Sequence, residues 1–226
     1  VQTCALPIYD EGLIYQSHYL VNWDPVTQTA LADDEVEYVE RQTYLWYLHY
    51  GPFVVATTRP ETLFGDTAVA VHPSDERYAQ WIGKEIAHPL TGRLIPVIAD
   101  PHVDPQFGTG VVKITPAHDP NDYEMALRHQ LPLCNIMTFD GRLNEEADEF
   151  AGMTMEEGRA AVAKKLETLG LLLKRDPHTH RVGLSYRSKA VIEPYLSEQW
   201  FVKTSEFSKQ LHTVVSEGRV EMIPKS

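Results

Sequence analysis

Ala56-Thr57-Thr58-Arg59-Pro60-Glu61-Thr62-Leu63-Phe64-Gly65-Asp66 sets three threonines around one arginine, directly after the apolar run Phe53-Val54-Val55. A β-branched run that ends in threonines reads as a strand end, and Arg59-Pro60 places a guanidinium beside a rigid turn. A second dense block follows at Gly108-Thr109-Gly110-Val111-Val112-Lys113-Ile114-Thr115-Pro116-Ala117-His118-Asp119-Pro120-Asn121-Asp122-Tyr123-Glu124. It opens as a strand and closes as a helix start, with Asp119 as N-cap and Pro120 in the first turn. If these blocks carry chemistry, they must meet across one polar hollow.

Working outward, residues 36–50 alternate in part, with Tyr44, Trp46 and Leu48 on one face, and residues 52–56 follow after a turn, so a hairpin is expected. Residues 67–71, 94–98 and 110–114 are further β-branched runs, enough strands to close a small barrel. Thr154-Met155-Glu156-Glu157 has the form of a capping box, opening a helix through Val162, Leu166 and Leu169 that Gly170 ends. His178-Thr179-His180 reads as a solvated loop. It lacks a third or fourth ligand at suitable spacing, so no metal is expected. The fold class expected is mixed α/β, a small β-barrel core with peripheral helices.

The chain has 226 residues, 43% hydrophobic, and a formal net charge of -12 from 20 Lys+Arg against 32 Asp+Glu. That balance argues against a surface that grips a phosphate backbone throughout, so any nucleic-acid contact must be local. No apolar run of spanning length and no signal-like opening is seen, which leaves no membrane partner and a cytoplasmic location as the expectation. Cys4 and Cys134 form no CxxC pair or disulfide framework. Residues 1–8 match the translated reading of a common sequencing-adapter oligonucleotide and are expected to be non-native, the chain being a truncated reading of a longer gene.

Single residues leave alternatives open. Asp122 is either a partner for a bound cation or a helix-dipole carboxylate in the first turn. Asp119 is a plain cap, with or without a ligand contact. Lys113 in an apolar strand reads as a solvated outward residue by alternation, while Thr115, two residues on, shares its face. Phe107 is a core anchor or a stacking platform for a base. The threonines are β propensity or a polar wall, and His118 is as well explained by ordering its loop as by acting as a base.

Both blocks, with the passages "GLIY…LVNWDP" and "VIEP…QWFV" at residues 12–25 and 191–202, resemble the editing domain of a class I aminoacyl-tRNA synthetase and its connectors, the valyl type above all. The resemblance runs from about residue 9 to the end. It implies a connector at 9–44, the editing domain at 45–180 and a return connector at 181–226. It implies hydrolysis of threonine mis-attached to tRNA(Val), with Asp122, Lys113, Arg59 and Thr58 in catalytic positions. Thr57, Thr62, Phe107, Thr115 and Asp119 then bind substrate, Asp119 reading the threonine hydroxyl and Phe107 the terminal adenine. Water positioned beside the ester, helped by the tRNA's terminal hydroxyl, does the chemistry without a covalent intermediate. No cofactor is implied for this chain; ATP and Mg2+ serve the parent enzyme, whose remaining chain is a partner together with the tRNA(Val) acceptor end. A leucyl- or isoleucyl-type editing domain and a non-catalytic nucleic-acid-binding module are the alternatives.

Overall fold

The computed structural model describes residues 7–220 and residue 223; residues 1–6, and with them most of the segment expected to be non-native, lie outside the described residues. In chain order the elements are β1 (Ile14–Asp24), β2 (Thr29–Leu31), β3 (Val36–Tyr50), β4 (Phe53–Thr57), a 3-10 turn (Pro60–Gly65), β5 (Ala68–Val71), β6 (Glu85–Ala87), β7 (Leu94–Ala99), β8 (Val111–Ile114), α1 (Pro120–His129), α2 (Met155–Thr168), β9 (Leu172–Ser185), β10 (Glu193–Val202) and α3 (Ser205–Ser216). No described helix is long and apolar enough to cross a membrane.

The chain divides into two compact units, Leu20–Leu196 and a smaller one built from the segments before residue 20 and after residue 196. The smaller unit sets the first half of β1 beside the end of β10: the Lys203 amide donates to Leu13 O at 2.8 Å, and Phe201 stacks on Tyr15 with ring centroids 5.6 Å apart. The boundaries expected at 44/45 and 180/181 fall inside β3 and β9.

In the larger unit, β3 and β4 form a hairpin over the two-residue turn Gly51-Pro52, pairing Trp46 with Thr57 and Tyr50 with Phe53. The alternation read from the sequence holds for Trp46 and Leu48, which are buried together with Tyr50, but Tyr44, expected on the same face, is exposed under Arg175, as is Glu37–Gln42 in the first half of β3. That exposed half is held by β9, which pairs with β3 from Val36↔Ser185 to Leu48↔Leu172, with Lys174 over the Tyr47 ring at 4.1 Å and Arg181 over Tyr38 at 5.0 Å.

His178-Thr179-His180 therefore lies on a strand, opposite Thr43, Gln42 and Arg41, and not in the expected loop. Continuous pairing along β3 overrides weak local preference there, and Pro177 is tolerated because β9 is the edge of the order β4-β3-β9.

The second sheet, β6-β7-β5-β8, places β5 at its centre, parallel to β7 and antiparallel to β8. Central position explains why all four residues of β5 are buried. The expected barrel does not close: among the described residues no ladder joins this sheet to β4-β3-β9. After Thr57 the chain leaves β4 into the fully buried turn Pro60–Gly65, and short strands of three to six residues leave little edge for a closing pair. The fold is mixed α/β with open sheets.

Both cap signals hold. Thr154 Oγ1 accepts from Glu157 N at 3.2 Å while Glu157 accepts from Thr154 N at 2.9 Å; Asp119 accepts from the amides of Asn121 and Asp122 at 2.8 and 3.2 Å. One apolar cluster including Leu48, Val55, Leu63, Ile136, Val162 and Leu166, all fully buried, ties the β3–β4 hairpin, the turn and α2 together. Truncating Leu48 to Ala should lower stability by about 2–5 kcal/mol in urea unfolding. The same change at Leu94, 62% exposed, should stay within about 0.5 kcal/mol.

Candidate active site

The two blocks meet because β8 lies beside β5 and the turn 60–65 packs against Thr115. Gly65 makes this approach possible, since a Cβ there would sit 3.0 Å from Thr115 Cγ2 and from the Cys134 carbonyl. At the contact Asp66, fully buried, accepts from Tyr50 OH at 2.8 Å, from Lys113 Nζ at 3.2 Å and from Thr115 Oγ1 in a short bond. Lys113 also donates to Thr62 Oγ1 at 3.1 Å and to Thr115 Oγ1.

Lys113 is thus buried with all three of its N–H donors engaged, not turned to solvent as alternation suggested. Thr62 in turn donates to the Arg59 carbonyl at 2.9 Å. Below Asp66, His88 donates from Nε2 to Leu63 O at 2.9 Å and accepts at Nδ1 from the Leu90 and Thr91 amides. Burial holds its pKa below the usual value, so it stays neutral.

Asp122 stands at the other side of Thr115. One carboxylate oxygen accepts from the Thr115 amide at 2.8 Å; among the described residues the other takes no hydrogen bond. Burial, the charge of Asp119 and, more weakly, that of Asp66 push its pKa up to about 7, against the pull of Lys113 and the Thr115 amide. Such a buried, half-satisfied carboxylate is costly to keep and is the kind of group a cationic ligand satisfies.

Arg59 reaches the same turn from the first block. It donates to the His118 carbonyl at 3.2 Å, to Glu61 at 3.3 Å and, in a short bond, to Glu193 on β10. Glu61, fully buried, is shared with Arg159 of α2 at 2.6 and 3.0 Å. The two carboxylates keep Arg59 charged, while burial raises the Glu193 pKa more than the guanidinium lowers it.

His118 accepts at Nε2 from the Ile136 amide at 3.0 Å, and burial, with Arg59 and Lys113 nearby, holds it neutral with a pKa of about 3. It orders its loop.

The remaining expected residues are placed as follows. Thr57 is buried, its hydroxyl accepting from the Arg59 amide at 3.1 Å. Thr58 and Asp119 are half-buried at the rim. Phe107 is 65% exposed on the loop before β8, so it is no core anchor. That loop borders a cleft of about 500 Å3 lined by Ser74, Asp75, Arg77, Pro105, Gln106 and Gly108.

The blocks meet as a closed cluster and not across an open hollow: Thr62, Lys113, Thr115 and Asp122 are each under a tenth exposed. Sequence reasoning missed Asp66, Glu61, Arg159 and Glu193. The first two stand in the quoted block as acids flanked by residues that bury, which was the available signal.

The family described as tRNA synthetases class I (I, L, M and V) matches residues 2–226. Among known proteins the chain is 61% identical to the Valine--tRNA ligase of Protochlamydia amoebophila over 99% of its own length, and 53% identical to that of Chlamydia pneumoniae over 96%. It spans 24% of the length of each of these curated relatives.

Because the Asp122 pKa is raised on folding from 3.8, its ionisation opposes folding progressively as pH rises through the interval up to about 7. Asp122→Asn keeps the acceptor for the Thr115 amide without the charge. It should raise the thermal midpoint most above pH 7, with the gain shrinking steadily as pH falls towards 4 in scanning calorimetry.

Proposed function

The chain belongs to the class I tRNA synthetases (I, L, M and V), and from that premise we propose that it carries the proofreading site of a valine-specific enzyme, hydrolysing threonine mis-attached to tRNA(Val). The observation that carries the reading is Asp122: a buried carboxylate with one oxygen pinned by Thr115 and the other without a hydrogen bond among the described residues. That second oxygen receives the α-ammonium of the aminoacyl ester, whose positive charge restores the ionised form that burial disfavours.

The side chain of threonine then lies at the half-buried rim against Asp119, with Thr62 and Thr115, whose hydroxyls are paired within the protein, forming the wall behind it. The threonine hydroxyl donates to the Asp119 carboxylate, whereas the isosteric methyl of valine offers that carboxylate nothing, which is the basis on which a polar site rejects an analogue. A hydrophobic synthetic pocket separates the two amino acids by only ~10², a ratio established for valine enzymes in general and independent of the present structure.

With its donors all committed to the protein, Lys113 contributes charge to the site and not a hydrogen bond to the ester. The half-buried rim, with Thr58 and Asp119, is where ester and water meet, and hydrolysis rests on orientation and electrostatics. The terminal adenine stacks on Phe107 beside the adjoining cleft. Attachment of valine, with ATP and Mg2+, belongs to the parent enzyme, as do most tRNA contacts, in keeping with the net charge of -12.

The test is single-turnover deacylation of threonyl-tRNA(Val) by the 226-residue chain. Asp122→Ala should slow threonine release by about 10²-fold, and equal release by both proteins would overturn the reading. In multiple-turnover deacylation Phe107→Ala should raise KM for the same tRNA about tenfold, as the loss of one stacked base does, with kcat unchanged.

A further inference from the structure

Glu193 begins β10, in a passage that the sequence assigns only to a connector, yet its carboxylate is bonded to Arg59 at the edge of the site. Around it two guanidiniums and two carboxylates interlock: Arg59 with Glu193 and Glu61, and Arg159 with both oxygens of Glu61. The cluster joins the exit of β4, the turn 60–65, α2 and β10. α2 packs beside the turn at Gly158, where an added Cβ would meet Glu61 Cβ at an ordinary 3.8 Å and would clash instead with Leu143 Cδ1 at 2.5 Å.

Arg59 passes this constraint on. Its remaining bond goes to the His118 carbonyl at 3.2 Å, and the His118 amide closes the turn onto Thr115 O at 3.0 Å. That turn carries Asp119 and Asp122 into place.

We propose that Glu193 is a positioning residue: by clamping Arg59 it fixes the Thr115–Asp122 turn, so that the strand leading away from the site also sets its geometry. Glu61 holds the opposite flank of the same guanidinium and is itself held by Arg159. Without the Glu193 charge, Glu61 is shared between two guanidiniums, and Arg59 is free to leave the His118 carbonyl. The consequence for activity rests on the proofreading reading above; the consequence for the turn does not.

Two measurements on the 226-residue chain test this separately. In hydrogen exchange, Glu193→Gln should speed the Thr115 and His118 amides at least about tenfold while Val69 and Leu166 stay unchanged, the mark of local opening and not of global loss. Unchanged rates at Thr115 and His118, or a uniform rise everywhere, would overturn the proposal.

In threonyl-tRNA(Val) deacylation, Glu193→Gln should cut kcat about tenfold on the natural chain and cost nothing further on an Arg59→Met background, where it instead relieves an unpaired buried acid. An equal loss on both backgrounds would also overturn it. If the natural chain releases no threonine, the proofreading reading fails and exchange alone decides the clamp.

Discussion

Asp66 is the constraint on which the site hangs. A carboxylate with no exposure must find full hydrogen-bonding compensation or leave the fold, and it does so by drawing three donors from two strands: Tyr50 at the end of β3, Lys113 inside β8 and Thr115 just after it. Each donor is thereby fixed in rotamer as well as position. Lys113 is a cation in an apolar strand, tolerable there because its counter-ion and two hydroxyls surround it. Remove the carboxylate and the buried ammonium would lose the counter-ion it is bonded to, a far larger cost than the loss of one hydrogen bond.

Charge is handled the same way a few ångströms off, where two arginines and two glutamates satisfy one another. Polar density is therefore high around the turn 60–65, while the apolar cluster of Leu48, Leu63 and Leu166 lies immediately behind it. Packing supplies the free energy and the polar groups supply the uniqueness of arrangement. Beside this satisfied network stands Asp122, with one carboxylate oxygen still available to a ligand.

Much of this was legible in the sequence. Both helix caps follow from local chemistry, since a Thr-x-x-Glu box and an Asp-Pro start satisfy donors within a few residues. The hairpin followed from alternation at Trp46 and Leu48. The barrel failed because closure is a property of distant edges, which no window of sequence contains. His178 and His180 were misplaced because their strand exists only through pairing with β3. At the site, residue types were readable but partners were not: Lys113 reads as a surface lysine until Asp66 is seen against it, and Glu193 as connector until Arg59 meets it. Long-range ion pairs leave no periodic trace.

The ribbon of β3 and β9 has one more implication. Val36 and Ser185 face each other across the ladder, so the polypeptide departs and comes back at neighbouring points, like a lanyard whose two cords are zipped together. An excursion of this kind can be spliced into a host protein at a single peptide junction without displacing the host's own elements, because the gap it must bridge is one strand spacing wide. The zipped cords carry the cost of holding the two ends together.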